Sequence, residues 1–550
     1  MNIKQSCFLL LFGAVVFTGC KHDKKTEEAA KAISPEEIKE KIAVLAADSM
    51  MGRKPFTAGE DKAIAYISSE FKKAGLAPGN NGSYYQDVPM VEVTSTPSPT
   101  MEISGGKSPL SLHVTSDFVA FTRREVATVE LKNSPLVFAG YGVVAPEYHW
   151  NDYAGLDVKG KTVVVLVNDP GFKSGRKDLF KGDTMTYYGR WTYKFEEAAR
   201  QGAAGVIIIH QTAPASYGWN VVSNSNSGAK LYLTQPDKHM NRCKVEGWIT
   251  EDAAKKLFAD AGINGDLRAI ARDKNFKAIP LNRTVNLSVN TKLKYSTSHN
   301  VIGILKGSAR PTECVLYTAH WDHLGIGKPN ARGDSIYNGA IDNADGVASI
   351  IGIANAFKKS AAKPQRSIVF LAVTGEEQGL LGSEYYATHP IYPLNKTVAD
   401  LNIDAIGDYG ETKDIAITGK GQNELEDYVG AIAQQDGLTT VGDRTPGSGS
   451  YYRSDHFNFA KLGVPALDIN IGSISKLHDG TYGADKEKDY NENRYHQQAD
   501  NYMPDMDATG MAQIADILFR IGTKLGNEST FPGWKPGSEF KAIRDKSMGK

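Results

Sequence analysis

The stretch ECVLYTAHWDHLG, residues 313–325, decides the fold class, because a buried strand and a group of metal-binding residue types meet within it. Residues 314–319 form a largely apolar run, which is typical of a parallel sheet covered on both faces. His320, Asp322 and His323 follow directly. Functional groups in open α/β sheets gather at the carboxyl ends of strands, so other strand ends should carry related groups.

Two further apolar runs of strand length follow along the chain, SIVFLAV at 367–373 and DLNIDAI at 400–406. A helical stretch, GVASIIGIANAFKK at 346–359, lies between the first strand and these two. This alternation of strand, loop and helix predicts an α/β fold with a mixed, mainly parallel central sheet flanked by helices.

The loops after these strands hold carboxylates and imidazoles. Any one of them is more often a loop or capping residue, and Glu376 with Glu377 alone would suit the N-terminus of a solvated helix. Together they would repel one another unless divalent cations lay between them. Nitrogen and oxygen ligands without thiolates indicate zinc in a catalytic role. The set comprises His320, Asp322, Asp342, Asp345, Glu376, Glu377, Asp404 and His496.

Five motifs in order, HWD, GAIDNADG, TGEEQGLLGS, NIDAIG and YHQQAD, resemble those of the dizinc exopeptidase family that includes bacterial leucyl aminopeptidases and glutamate carboxypeptidase. The resemblance extends from Ser34 to about Gly526 and implies two Zn²⁺ ions. It implies that Glu376 is the general base and that Asp322 orients a histidine ligand, with Asp500 in a similar supporting role. The implied ligands are Asp342 as the bridge, His320 and Asp404 for one zinc, and Glu377 and His496 for the other.

The run SGSYYRSDHF at 448–457 adds a candidate for the oxyanion. The resemblance implies that Tyr451 donates a hydrogen bond to the tetrahedral oxyanion, and the neighbouring Tyr452 stays an alternative. Asp455 and His456 are expected to hold this loop. His323 is expected to be a structural loop residue.

At 550 residues the chain exceeds one ordinary domain. A capping box at Ser34 to Glu37 predicts that the folded part begins at Ser34. Strand-like runs between 114 and 283 resemble the protease-associated domain that is often inserted in this family, and we hypothesise that this β-rich insert partly covers the active-site mouth. The predicted segments are a signal peptide at 1–20, a tether at 21–33, the peptidase domain at 34–113 and 284–526, the insert at 114–283 and a tail at 527–550.

Residues 1–20, MNIKQSCFLLLFGAVVFTGC, have the basic start and short apolar run of an export signal. Their last four residues resemble the lipobox of bacterial lipoproteins, which implies lipidation of Cys20. We therefore expect an exported protein, anchored by lipid to the bacterial cell envelope and facing the periplasm or the outer surface. Cys243 and Cys314 are expected to be free thiols, since the predicted domains separate them.

Equal numbers of basic and acidic residues, 63 of each, do not favour nucleic acid as a partner. The predicted function is that of a zinc-dependent aminopeptidase acting on peptides. A carboxypeptidase of the same family is the alternative, with Arg453 and Lys476 as candidates for holding a substrate carboxylate. A glutaminyl cyclase or a non-catalytic binding protein on the same scaffold fits less well, because all five ligand positions are filled. The chain has no Gly-x-Ser-x-Gly elbow of a serine hydrolase.

Overall fold

The computed structural model describes residue 26, residues 28–106 and residues 108–550. The predicted signal peptide with Cys20 lies outside these residues. Packing begins before Ser34, because Ala29, Ala32 and Ile33 are buried against the core, so the predicted tether overlaps the packed chain. Among the described residues, no helix is both long and apolar enough to cross a membrane.

The N-terminal part contributes two longer helices and the first strands. Ser34 caps the first helix by accepting a hydrogen bond from the Glu37 amide at 3.1 Å, which confirms Ser34 as the N-cap. The second helix is followed by Gly75 in a left-handed conformation (φ 79°). The elements are α1 (Pro35–Leu45), α2 (Ala58–Lys73), β1 (Ala77–Pro78), β2 (Tyr85–Pro97), β3 (Thr100–Ser104) and β4 (Leu110–His113).

Residues 114–283, the predicted insert, contain a small parallel sheet in which β10 lies between β9 and β12, and β12 also pairs with β5 in the antiparallel sense. Cys243, in this part, is a free buried thiol, as is Cys314 outside it, which confirms the prediction. The elements are β5 (Phe118–Phe121), β6 (Thr128–Phe138), β7 (Val144–Ala145), β8 (Trp150–Asn151), β9 (Thr162–Leu166), α3 (Trp191–Arg200), β10 (Gly205–Ile209), α4 (Thr212–Ala215), α5 (Trp219–Ser225), β11 (Gly228–Leu233), β12 (Val245–Ile249), α6 (Glu251–Asp260) and α7 (Leu267–Ala271).

A long strand, β13 (Ile279–Leu305), leads back from the insert into the catalytic part and crosses the predicted boundary at 283. It pairs with β2 in the antiparallel sense from Val289 to Val301. The later elements are β14 (Arg310–His320), β15 (Gly325–Ile326), β16 (Ile336–Tyr337), α8 (Asp345–Lys359), β17 (Arg366–Val373), α9 (Leu381–Thr388), β18 (Thr397–Asn402), β19 (Asp414–Ile417), α10 (Leu425–Gln435), β20 (Thr439–Gly442), α11 (His456–Lys461), β21 (Ala466–Ile471), α12 (Tyr482–Asn493), α13 (Thr509–Asn527) and α14 (Lys541–Ser547).

The central sheet runs in the order β13, β17, β14, β18, β21, β19, β20. The four strands β17, β14, β18 and β21 are parallel to one another, whereas β13 and β19 are antiparallel to their neighbours in that group. Helices α1 and α13 pack against α8, which itself packs on β14. The predicted mixed, mainly parallel α/β sheet is therefore confirmed. Its parallel strands end at one edge, where the predicted ligands follow.

The insert is joined to the catalytic part by a buried carboxylate in α3. Glu196 lies 2.5 Å from the Lys461 ammonium of α11, and it accepts a hydrogen bond from the Tyr187 hydroxyl. A second carboxylate, Glu539, accepts from Tyr452 of the catalytic part at 2.7 Å and from Lys181 of the insert at 3.0 Å. These ionic contacts fix the insert beside the loop that carries Tyr451 and Tyr452.

The Glu196 contact predicts that the junction weakens in acid. Burial alone would raise the pKa of Glu196, but Lys461 and Tyr187 lower it from 4.5 to about 2. A carboxylate with a depressed pKa stabilises the fold above its unfolded pKa, and this contribution is lost as the pH falls through its folded pKa. Between pH 4.5 and 2, we expect the free energy of unfolding of wild type to fall by about 3 kcal/mol more than that of Glu196→Gln. Urea unfolding across this pH range measures it, with the exposed Glu28→Gln as the control that should follow wild type.

Candidate metal centre

Three neighbouring parallel strands bring three of the five predicted ligands, together with Glu376, to one edge of the sheet. In β14, His320 is the last residue and is in register with Val373, the last residue of β17, after which Glu376 and Glu377 follow. Asn402 ends β18 opposite Thr318, and Asp404 follows two residues later. The register of the strands therefore places these side chains together, as the carboxyl-end rule predicts.

Asp342 lies at the centre of the cluster and faces two histidines. Its Oδ1 is 3.2 Å from His320 Nε2, and its Oδ2 is 3.1 Å from His496 Nε2. His320 Nε2 is also 3.3 Å from Asp404 Oδ1, and His496 Nε2 is 3.2 Å from Glu377 Oε2. The structure thus brings all five predicted ligands together in the predicted grouping, with one oxygen of Asp342 directed to each half.

Two buried aspartates hold the backbone of the cluster. Asp322 Oδ1 accepts a hydrogen bond from the Glu376 amide at 3.1 Å. His320 Nδ1 lies 3.1 Å from the backbone carbonyl oxygen of Asp322 and 3.9 Å from its side-chain Oδ1, so Asp322 adjoins the histidine it is predicted to orient. Asp500 Oδ2 accepts from the Asp342 amide at 3.0 Å, so Asp500 supports the bridging carboxylate. Both aspartates therefore position chain segments that carry predicted functional residues.

Glu376, the predicted general base, stands at the edge of the cluster. Burial raises its pKa well above the usual value, although His320 opposes this shift. Within the described residues, no hydrogen bond or ion pair holds the Glu376 carboxylate, whereas its amide is fixed by Asp322. The backbone is therefore held while the carboxylate is left available for a reacting molecule.

His323 contacts a predicted metal ligand, which the sequence did not predict. It is fully buried, and its Nδ1 lies 2.6 Å from Glu377 Oε1. Ligand atoms of His323, Asp342 and Glu377 lie within 4.8 Å of one another, as do those of His320, Asp342 and Asp404. The description of His323 as a loop residue is therefore incomplete, since its ring fixes the second oxygen of a predicted ligand.

The contact with Glu377 predicts an effect of His323 on metal affinity. We expect His323→Gln to weaken metal binding by about 10- to 100-fold, because groups that orient metal ligands typically contribute that much. Titration of the metal-free protein with zinc against a chromogenic chelator measures the change. His389→Gln, at an exposed position after α9, is the control, and equal affinities of His323→Gln and wild type would contradict the prediction.

The hydroxyls of the tyrosines in the 448–457 loop have hydrogen-bond partners outside the cluster. The Tyr451 hydroxyl donates to the carbonyl of Ala466 at 3.4 Å, and Ala466 pairs with Asp400, four residues before Asp404. The Tyr452 hydroxyl contacts Glu539 at 2.7 Å. Both hydroxyls are therefore bonded to groups other than the predicted ligands.

Tyr495, which the sequence analysis passed over, lies beside the cluster. Its ring stacks on His496 with centroids 3.9 Å apart. Tyr495 is 44% exposed, and its partial burial and the nearby carboxylates, Asp342 and Glu376 foremost, raise its pKa above the usual value. The sequence feature that could have identified Tyr495 as a site residue is its position directly before His496, a predicted ligand.

Other residues hold the Asp404 segment or lie apart from the cluster. Asn343 Oδ1 accepts from the Ala405 amide at 3.3 Å, and Asp345 Oδ2 accepts from the Ile406 amide at 2.9 Å. The candidates for a carboxylate site are engaged elsewhere, since Arg453 donates to the Ser448 carbonyl and Lys476 to Glu411. The predicted loop residues Asp455 and His456 are buried, and Asp455 accepts from Ser383 at 2.5 Å.

Comparison with known proteins shows what the segment around this cluster resembles. Residues 300–521 match the model of peptidase family M28. The aminopeptidase NAALADL1 of Mus musculus is 33% identical over 132 residues, which cover 23% of this chain and 16% of the mouse protein. A probable leucine aminopeptidase 2 of Aspergillus oryzae is 28% identical over 349 residues, covering 60% of this chain and 62% of that protein. The match thus spans less than two thirds of either relative.

A solved structure also aligns with this chain. The aminopeptidase from Aneurinibacillus sp. strain AM-1 is 20% identical, with 91% of this chain and 95% of that chain covered and a TM-score of 0.46. All five predicted ligands and Glu376 lie within the segment that the family model matches. Residues 300–521 are therefore similar to peptidase family M28, and this segment holds the whole cluster.

Proposed function

We propose that this chain is a zinc-dependent aminopeptidase that removes N-terminal residues from peptides, with Glu376 as the general base. One observation carries the proposal. The two carboxylate oxygens of Asp342 face two separate histidines, His320 and His496, each of which has its own second carboxylate. This arrangement offers two adjacent metal positions that share one ligand.

The side chains of the cluster fit two zinc ions. They offer imidazole nitrogens and carboxylate oxygens without a thiolate, a donor set typical of catalytic zinc. Burial raises the pKa of Glu376, and Asp404 and Glu377 lie near enough to raise it further, so a divalent cation would offset the repulsion among these carboxylates. When bound, two zinc ions would lower the pKa of a water molecule and polarise the scissile carbonyl.

The residues of this chain would supply the proton transfers. Glu376 is free to accept the proton of the attacking water and to return it to the leaving amine. The hydrogen bond from its amide to Asp322 keeps the carboxylate at the edge of the cluster during both transfers. No covalent enzyme intermediate is needed, because water is the nucleophile.

Two observations support an aminopeptidase over a carboxypeptidase. Arg453 and Lys476, the candidates for binding a substrate carboxylate, contact Ser448 and Glu411 instead. The relatives from Mus musculus and Aspergillus oryzae are themselves named as aminopeptidases.

Substrates with blocked ends test the proposal. We expect hydrolysis of a leucyl dipeptide and of its C-terminally amidated form, but not of the N-acetylated form. Activity should disappear on chelation and return with zinc. Hydrolysis that requires a free C-terminus would instead establish a carboxypeptidase, and zinc binding without any hydrolysis would favour a binding protein.

Tyr495 is the better candidate for contact with the reacting carbonyl. We expect Tyr495→Phe to lower kcat by about 10²-fold, the scale of losing one oxyanion donor, because its hydroxyl lies in the field of the cluster carboxylates. Tyr451→Phe is the matched variant and should leave kcat unchanged, since its hydroxyl bonds to Ala466. Steady-state kinetics on the leucyl amide measures both. A larger loss for Tyr451→Phe would restore the role predicted from the sequence.

We also propose that the protein is exported and anchored by lipid at Cys20. The support is the order of a basic start, an apolar run and small residues before Cys20. In a bacterial host, Cys20→Ser should move the protein from the membrane fraction to the soluble fraction and abolish incorporation of labelled palmitate. Unchanged fractionation and labelling would overturn the anchor.

A further inference from the structure

We propose that Arg53 is a positioning residue that fastens the two loops carrying the metal ligands, so that the ligands are arranged before metal enters. The inference rests on the metal centre of the proposed function. It assigns a role to the N-terminal segment, which lies outside the 300–521 match and contributes no ligand.

The guanidinium of Arg53 joins both ligand loops through backbone carbonyls. Its Nε donates to the Trp321 carbonyl at 2.8 Å, directly after His320. Its Nη1 donates to Asn338 at 2.6 Å, and its Nη2 donates to Gly339 at 2.9 Å, three residues before Asp342. One side chain therefore fixes the distance between the loop after β14 and the loop before α8.

The backbone of Arg53 adds to this attachment. Its carbonyl accepts from the His323 amide at 3.3 Å, and its Nη1 also donates to the Leu45 carbonyl at the end of α1 at 2.7 Å. The preceding Gly52 has a left-handed conformation (φ 64°), and a Cβ there would lie 2.6 Å from the carbonyl oxygens of Gly325 and Tyr337. The segment is thus wedged between the same two loops that the side chain connects.

Arg53 also places a positive charge behind the cluster. It is 1% exposed, and its contacts above are carbonyls. Burial lowers the pKa of Arg53 to about 10, with Asp342 and Asp500 opposing the shift, so the side chain is charged at neutral pH. In the absence of metal, this charge offsets repulsion among the carboxylates.

The planar fork explains why arginine stands at this position. A lysine would keep the charge, but a single ammonium cannot reach carbonyls on three separate segments in fixed directions. The unmet carbonyls would then be buried without a partner, and the loops would relax. The expected consequence is weaker metal binding.

The chain offers a matched control in Arg366. It is also fully buried and donates to the carbonyls of Leu525, Thr530 and Ser529, with Glu313 as an additional partner. It stands at the start of β17, at the opposite end of that strand from Glu376. A Lys substitution there removes comparable contacts without touching the ligand loops.

The experiment compares Arg53→Lys with Arg366→Lys in the full chain. Zinc affinity is measured on metal-free protein by competition with a chromogenic chelator, and thermal unfolding is followed with and without zinc. We expect both variants to unfold at a lower temperature when metal-free. Only Arg53→Lys should bind zinc about 10- to 100-fold more weakly than wild type. A change of less than about threefold from wild type, or an equal loss in Arg366→Lys, would overturn the proposal.

A milder variant covers the case in which Arg53→Lys does not fold. The Asn338 side chain donates to Asp48 at 2.8 Å, so Asp48→Ala loosens the same segment from the ligand loop while Arg53 stays. A measurable loss of zinc affinity then supports the proposal, and an unchanged affinity overturns it. If wild type binds no zinc, the proposed function fails together with this inference. If wild type binds zinc and the variants match it, this inference alone fails.

Discussion

Replacement of Glu376 by glutamine is expected to lower kcat by about 10² to 10⁴-fold while zinc remains bound, the range typical of a lost general base. Glutamine keeps the shape of the side chain but cannot accept the proton of the attacking water. The amide of residue 376 would still donate to Asp322, so the local backbone should be unchanged. Loss of turnover with an intact metal site is therefore the expected signature.

The measurement combines steady-state kinetics on a leucyl amide with zinc content after dialysis. Glu384→Gln, eight residues further along in α9, is the control and should match wild type in both values. A Glu376→Gln enzyme that retains wild-type kcat would remove Glu376 from the proton transfers. Loss of zinc together with turnover would instead make residue 376 part of the metal site.

The sequence predicts a site residue correctly where the local pattern also determines its position in the fold. Apolar strands such as residues 314–319 indicate a parallel sheet, and the residues that follow such strands lie at one edge of that sheet. His320, Glu377 and Asp404 reach the cluster for this reason. The grouping around Asp342 came from the family resemblance, and the structure places the side chains accordingly.

Roles that depend on distant contacts were not readable from the sequence. Arg53 acts on carbonyls of residues 321, 338 and 339, and no local pattern distinguishes such an arginine from an exposed one. The Tyr451 hydroxyl was expected at the cluster, but it donates to the backbone carbonyl of Ala466, a partner that the local sequence does not reveal. The sequence predicts no ligand-related role for His323, because its partner, Glu377, lies 54 residues later in the chain.

Replacement of the bridging carboxylate, Asp342, is expected to have the second large effect, on zinc binding and on kcat/KM. Asp342→Asn should abolish tight binding of both zinc ions, because each oxygen of Asp342 faces a different half of the cluster. An amide offers one neutral oxygen and cannot replace two charged ones. We expect kcat/KM to fall by roughly 10⁴-fold or more, which corresponds to about 5 kcal/mol of transition-state stabilisation.

Zinc stoichiometry separates a bridge from an ordinary ligand. Of the two predicted histidine ligands, His320 and His496, only His320 lies beside Asp404. Asp404→Asn should therefore lose one zinc equivalent and keep the other. Asp436→Asn, at a residue paired with Arg520 outside the cluster, should keep both. Elemental analysis after dialysis at low free zinc counts the ions in each variant. If Asp342→Asn lost only one equivalent, as Asp404→Asn should, the two halves would bind metal independently and Asp342 would serve a single ion.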